Sequence, residues 1–217
     1  MARQAMAVHE SMEILDHPMA QEQFAEQLQR LPNLGALHDE AKNRGFADVS
    51  TPEESFAIRL TSRASAGGIL PPPGLGIMAA PVQSVDFSLV GRSLTRGNDQ
   101  GAVATMSVSA SGPHGGEQVS YSMLLEAPSG HFDRAKEWTI DNGRVVEAHS
   151  WWSAWNGCLH SKCASTCLSS LWQCTGTWSA YFWCVAAKCG GCVVKCAACA
   201  TCDCRWWCRW AAGCCDA

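Results

Sequence analysis

The first 157 residues of this 217-residue chain contain no cysteine, and the first 150 contain a single tryptophan, Trp138. That excludes a front part held by disulfides or by thiolate-bound metal. No stretch of about eighteen consecutive apolar residues occurs, so a conventional transmembrane helix is not expected. Residues 1–30 are rich in Glu and Gln and lack an apolar core behind a basic start, so no secretory signal is expected there. Basic residues are too few for a nucleic-acid partner: 16 Lys and Arg stand against 20 Asp and Glu, a net charge of −4. There is no Gly-rich phosphate loop, nucleophile elbow or metalloprotease motif. His9, His17, His38, His114, His131 and His149 sit in polar surroundings, which suits solvated or capping roles. His160, near Cys163, is a weak candidate for a nucleophile pair. The sequence therefore predicts no enzyme, no catalytic residue and no cofactor.

The missing residue types are concentrated at the other end. Cys158, Cys163, Cys167, Cys174, Cys184, Cys189, Cys192, Cys196, Cys199, Cys202, Cys204, Cys208, Cys214 and Cys215 account for every cysteine. Nine of the 10 tryptophans lie at or beyond Trp151. Charge divides at the same place. Residues 151–217 carry 5 basic and 2 acidic groups, a net +3, and residues 1–150 carry 11 basic and 18 acidic, a net −7.

Four stretches follow from the patterning: a helical segment over 1–65, a Pro/Gly linker over 66–82, a β region over 83–150 and a cysteine- and tryptophan-rich part over 151–217. Asp16-His17-Pro18 is a helix start, with Phe24, Leu28 and Leu31 at i, i+4 and i+7 and Met19 and Ala20 one turn earlier. Pro32 ends that helix, and Leu34, Leu37 and Ala41 mark a second, with Gly45 as its C-cap. Thr51-Pro-Glu-Glu54 offers a capping box, yet Phe56, Ile58 and Leu60 alternate with period two, so 52–62 is either helix or strand. The linker runs from Gly67-Gly68 through Pro71-Pro-Pro73 to Pro81. Beyond it, Val85/Phe87/Leu89, Val103 to Val108, Val119/Tyr121/Met123/Leu125 and Trp138/Ile140 alternate with polar residues, and Asn142-Gly143 is a hairpin turn before Val145-Val146. The expected fold is an α+β N-terminal domain, with short helices packed on an antiparallel meander of four to five strands, followed by a small disulfide-rich helical domain.

In the tail, Cys189, Cys192, Cys196 and Cys199 share one helical face, while Cys163/Cys167 and Cys204/Cys208 stand at i, i+4. Few residues are turn-forming outside Asn156-Gly157, Gly176 and Gly190-Gly191, which predicts two or three short helices tied through their cysteines. Fourteen cysteines allow seven bridges with none left over, but spacing does not give the connectivity. So small a segment needs covalent staples to hold a fold. The alternative is a cytosolic metal-thiolate protein for zinc or copper(I). Cys196-x2-Cys199-x2-Cys202 is similar to the start of an iron–sulfur motif, but Trp206 stands where the fourth cysteine belongs. The knuckle-like pairs Cys189/Cys192 and Cys196/Cys199 are also too close together for a paired zinc site, which leaves a soft-metal thiolate cluster. The aromatics Trp151, Trp152, Trp155, Trp172, Trp178, Phe182, Trp183, Trp206, Trp207 and Trp210 exceed what a tail of this size buries by itself. Arg205-Trp206-Trp207-Cys208-Arg209-Trp210 is the expected membrane contact, since tryptophan favours the headgroup region and cations favour anionic lipid.

Lys162-Cys-Ala-Ser-Thr-Cys167, the following Cys174 and Cys184 and the Ala/Gly-rich run to Cys202 resemble the halocin C-eight family of bacteriocin precursors. The resemblance covers about sixty residues closely and the rest in layout. It implies an N-terminal immunity part and a cysteine-rich C-terminal antimicrobial peptide, the latter starting near Ala148–Gly157. More weakly, His17–Phe46 with Thr51-Pro-Glu-Glu54 is similar to the nitrogen-fixation-type leader peptides of modified bacteriocins, and Gly67-Gly68 to their double-glycine end. On this reading the partners are a target-cell membrane, a processing protease and an exporter, and the acidic front pairs with the basic tail. The peptide is expected to be secreted after processing from a cytoplasmic precursor, because dense disulfides persist in oxidising surroundings.

Overall fold

Period-two alternation builds one antiparallel sheet whose two faces are covered by different parts of the chain. The computed structural model describes residues 8–49, 54–64, 81–112, 115–148, 150–163, 167, 173–202 and 206–212. Its strands are β1 (Val8–Ile14), β2 (Ala47–Asp48), β3 (Ser55–Ala64), β4 (Ser84–Arg96), β5 (Asp99–Gly112), β6 (Gly115–Ala127), β7 (Lys136–Asp141) and β8 (Arg144–Ala148). They run in the order β1-β3-β4-β5-β6-β7-β8, with the short β2 paired to β4 off that path. Residues 83–150 thus supply five strands, within the expected range. The other three come from the first 65 residues, which are not helical throughout. The ambiguity over 52–62 resolves to strand because Phe56, Ile58 and Leu60 face one layer while Ala57 faces the other. The linker up to residue 80, Gly67-Gly68 and the start of the Thr51–Glu54 motif lie outside the described residues.

The two expected helices are present as α1 (His17–Arg30) and α2 (Pro32–Asn43). The Asp16 carboxylate accepts from the Met19 amide at 3.0 Å, satisfying a first-turn donor. Pro32 both stops α1 and opens α2, since a missing N–H costs nothing in a first turn. Met19 points away from the stripe and is exposed, whereas Ala20, Phe24, Leu34, Leu37 and Ala41 are buried. Asn142 and Gly143 both take positive φ in the β7–β8 turn, as a primed hairpin turn demands.

Strand parity decides which layer each side chain joins. Ala57, Val90, Leu94, Val103 and Leu124 pack under α1 and α2. Phe56, Ile58, Val85, Phe87, Leu89, Met106, Val108, Met123 and Leu125 point the opposite way. That second face was expected to meet the N-terminal helices. Instead it is covered by the tail, whose helices are α3 (Trp151–Lys162), α4 (Trp178–Cys189), α5 (Gly191–Thr201) and α6 (Trp206–Ala212). The middle strands are therefore buried on both faces, and the chain forms three layers: helices, sheet, bridged helices. Asn156-Gly157 is no turn but lies inside α3. Gly190, with φ of 57°, separates α4 from α5.

Candidate functional site

Helical spacing aligns two rows of sulfur atoms. Cys158, Cys163 and Cys167 lie on or just past α3, and Cys196, Cys192 and Cys189 return along α5 and the end of α4. The bridges pair them in nested order: Cys158–Cys196, Cys163–Cys192 and Cys167–Cys189. A steps of three to five residues on both partners is what two antiparallel helices need to form successive rungs. Cys174–Cys184 closes the turn before α4, and Cys202–Cys208 ties α5 to α6. Cys199 is also bridged, and no described cysteine is free. Cys204, Cys214 and Cys215 lie outside the described residues. Every described bridge closes within the tail, and the front part contributes no sulfur.

The sulfurs of Cys163, Cys192 and Cys196 lie within 4.8 Å of one another, with Cys163 Sγ and Cys196 Sγ 3.8 Å apart across two different bridges. Because Cys163 is bridged to Cys192, it is not a thiolate nucleophile beside His160.

The tail aromatics form the contact with the sheet. Trp151, Trp152, Trp155, Trp178, Phe182 and Trp207 are all buried, because the sheet supplies the surface that the tail lacks. Phe56 and Phe182 stack across the interface at 4.6 Å, and Phe132 meets Trp178 edge-on at 4.6 Å. Four indole N–H groups of the tail find acceptors in this apolar layer, whereas that of Trp183 is buried without one. Trp155 donates to the Val193 carbonyl at 3.1 Å, Trp151 to Thr201 at 2.9 Å and Trp178 to the Gln100 carbonyl at 3.2 Å. Trp207 donates to Glu117 at 3.1 Å. In the intact chain Trp207, expected as part of the membrane contact, is inward-facing and hydrogen-bonded to the sheet. Arg205, and the side chains of Trp206, Arg209 and Trp210, lie outside what the structure describes.

The buried carboxylate of Glu137 on β7 holds the junction between the parts. It accepts from the Trp152 amide in the first turn of α3 at 2.7 Å and from the Tyr121 hydroxyl at 2.5 Å. Burial, reinforced by that carboxylate, pushes the Tyr121 phenol far above its ordinary value. Burial alone pushes Tyr181 up to about 12. Ser93 Oγ accepts from the Ser179 amide at 2.7 Å at the start of α4. Lys195 pairs with Glu10, an ion pair between tail and front, but the contact is dominated by apolar burial rather than by opposite charge.

A pocket of about 200 Å³ opens at the seam, lined by His131, Phe132 and Asp133 from the front and by Trp152, His160 and Tyr181 from the tail. Cys174 also lines it but is bridged, so the pocket presents no thiol nucleophile. On the α1–α2 side of the sheet, partial burial of the Asp48 carboxyl raises its pKa, but the His38 hydrogen bond and the charges of Arg92 and Lys42 hold it below the usual carboxylate value. That cluster ties α2 to β2 and β4 and has the character of a structural clamp.

Among the described residues no single helix is long and apolar enough to cross a membrane. Helices α4 and α5 reach that length and composition together but bend by 114° at their break. No family model, curated protein or solved structure matches the chain.

Proposed function

We propose that the chain is a bacteriocin-like precursor in which residues 1–148 cradle a C-terminal, disulfide-bridged antimicrobial peptide. The observation that carries this reading is the combination of covalent autonomy and apolar masking. All described bridges join tail to tail, so one backbone cut between β8 and α3 leaves a cross-linked peptide with no covalent tie to the front. The same peptide buries Trp151, Trp152, Trp155, Trp178, Phe182 and Trp207 in the layer against the sheet, and separation would expose them to whatever lies nearby. A peptide with net charge +3, many tryptophans and a bent apolar helix pair has the ingredients for binding an anionic bilayer. The front part then acts as leader, folding partner or self-protection by covering that surface. The bridges belong to an oxidising environment, so release follows export.

Oxidised residues 151–217, freed from the front, are expected to stop bacterial growth at concentrations where the intact oxidised chain does not. A freed and fully bridged tail that leaves a broad bacterial panel unaffected would overturn the reading.

A further inference from the structure

The geometry points to a tetrathiolate zinc site in the reduced precursor, formed by Cys158, Cys163, Cys192 and Cys196 and dismantled when the ladder oxidises. Three of these sulfurs already lie within 4.8 Å of one another, and the fourth, Cys158, is bonded to one of the three. Zinc–thiolate bonds of about 2.3 Å in a tetrahedron place the sulfurs about 3.8 Å apart. Cys163 and Cys196 stand at 3.8 Å without any rearrangement. The other contacts need only the two S–S bonds opened, with Cα separations of 5.5 and 6.0 Å between the bonded partners. Two ligands come from α3 and its C-terminal end and two from α5, so one ion clamps the helix pair that the bridges later lock. Cys163 and Cys196 are fully buried, which favours a closed structural site rather than an open catalytic one.

The site gives the reduced tail a way to fold before any bridge exists, since binding free energy at a structural zinc site is folding free energy. Metal loading displaces the thiol protons and leaves four thiolates. Two disulfide-bearing oxidant molecules, such as oxidised glutathione, then accept two electrons each. The four thiolates become Cys158–Cys196 and Cys163–Cys192, the oxidant becomes four thiols with protons from water, and zinc leaves unchanged as Zn2+. The inference stands apart from the proposed antimicrobial role, since it concerns only the reduced chain.

The test uses the full chain, reduced and purified without oxygen, then loaded with Zn2+ or with Co2+ as a spectroscopic probe and desalted. One equivalent of metal is expected, with the strong visible bands of tetrahedral Co2+–thiolate and a gain in helical circular dichroism. Oxidised glutathione should release that equivalent to a chromogenic chelator as the bridges form. The C163S/C192S variant should lose the tetrahedral thiolate spectrum, while C174S/C184S should keep it with unchanged stoichiometry. A reduced chain that retains no metal, or a spectrum that survives C163S/C192S, would overturn the site. Neither result bears on whether the oxidised tail is antimicrobial.

Discussion

Gly91 gives the sharpest test of how the tail is seated on the sheet. It lies opposite Phe56 on β3 and Ala104 on β5. A Cβ at this position would collide with the Phe56 ring, whose Cε1 is 2.8 Å from it, and with Ala104 Cβ at 2.7 Å. The ring has nowhere to go, because Phe56 is fully buried and its other face is stacked on Phe182 of α4. Overpacking of this kind costs about 1–3 kcal/mol. Replacing glycine stiffens the unfolded chain and returns about 0.4–1 kcal/mol, so Gly91→Ala should lose about 1–2 kcal/mol. Phe56→Leu alone should also lose about 1–2 kcal/mol through reduced burial and a lost ring contact. Combined, the two substitutions partly relieve each other, because the smaller side chain vacates the ring space that the new methyl enters while the contact with Ala104 remains. The double variant should be at least about 1 kcal/mol more stable than additivity allows. Denaturant unfolding of the oxidised chain, followed by tryptophan fluorescence, measures all four corners of the cycle. Strictly additive losses would refute the claim that Phe56 is trapped between Gly91 and the tail.

Other expectations follow from the same geometry. Removing the outermost rung with Cys158→Ala and Cys196→Ala deletes a ring that spans only residues 158–163 and 192–196, because the next rung is already closed. The stability loss should be about 2.5 kcal/mol, not the roughly 4 kcal/mol of an isolated bridge with a sequence separation of 38, as read from denaturation midpoints. Glu137→Ala leaves the Trp152 amide without its acceptor and takes one partner from the half-buried Tyr121 hydroxyl, and should cost about 1–3 kcal/mol with faster amide exchange in the first turn of α3. The chain has 2 tyrosines, both with raised pKa when folded. The folded state therefore holds the phenol proton more tightly than the unfolded state does. Its contribution is complete below the unfolded value of about 10 and is lost as pH rises towards and beyond about 12 for Tyr181. Tyrosinate absorbance should stay low at pH values where free tyrosine ionises, then rise together with unfolding. Ionisation of both phenols near the free value, in a still-folded chain, would show that neither is buried as described.

The parts of the fold written locally were readable, and those that depend on a distant partner were not. Asp16 and Pro18 announce α1, Pro32 divides it from α2, and Asn142-Gly143 sets its own backbone turn. β1 carries a weaker signal: of its described side chains, Met12 and Ile14 are the apolar ones that pack against the core, so its alternation is faint. The alternation in Phe56, Ile58 and Leu60 was visible, but a helix start preceded it and nothing local broke the tie. The third layer was missed for another reason. An abrupt change in composition near residue 150 suggests a boundary in space, yet hydrophobic burial does not respect composition. The tail held more aromatics than it could bury, and the sheet carried apolar residues at both parities, including Val90 and Leu94 beside Phe87 and Leu89. Each surplus answers the other, and matching them would have placed the tail on the sheet. The rung pairing was partly legible in the three-to-five-residue cysteine steps, but only an antiparallel α3–α5 arrangement turns those steps into a connectivity. The seam residues Glu137, Ser93 and Gln100 left no sequence signal, because isolated polar residues in strands look the same whether they cap a helix or face water.

The most direct measurement of the central claim is dye release from anionic vesicles by an oxidised chain carrying a protease site at position 149. The intact chain should be silent, the bridged tail separated after cleavage should release dye, and adding back residues 1–148 should silence it near one equivalent. An intact chain as active as the free tail, or a free bridged tail that releases nothing, would contradict the account.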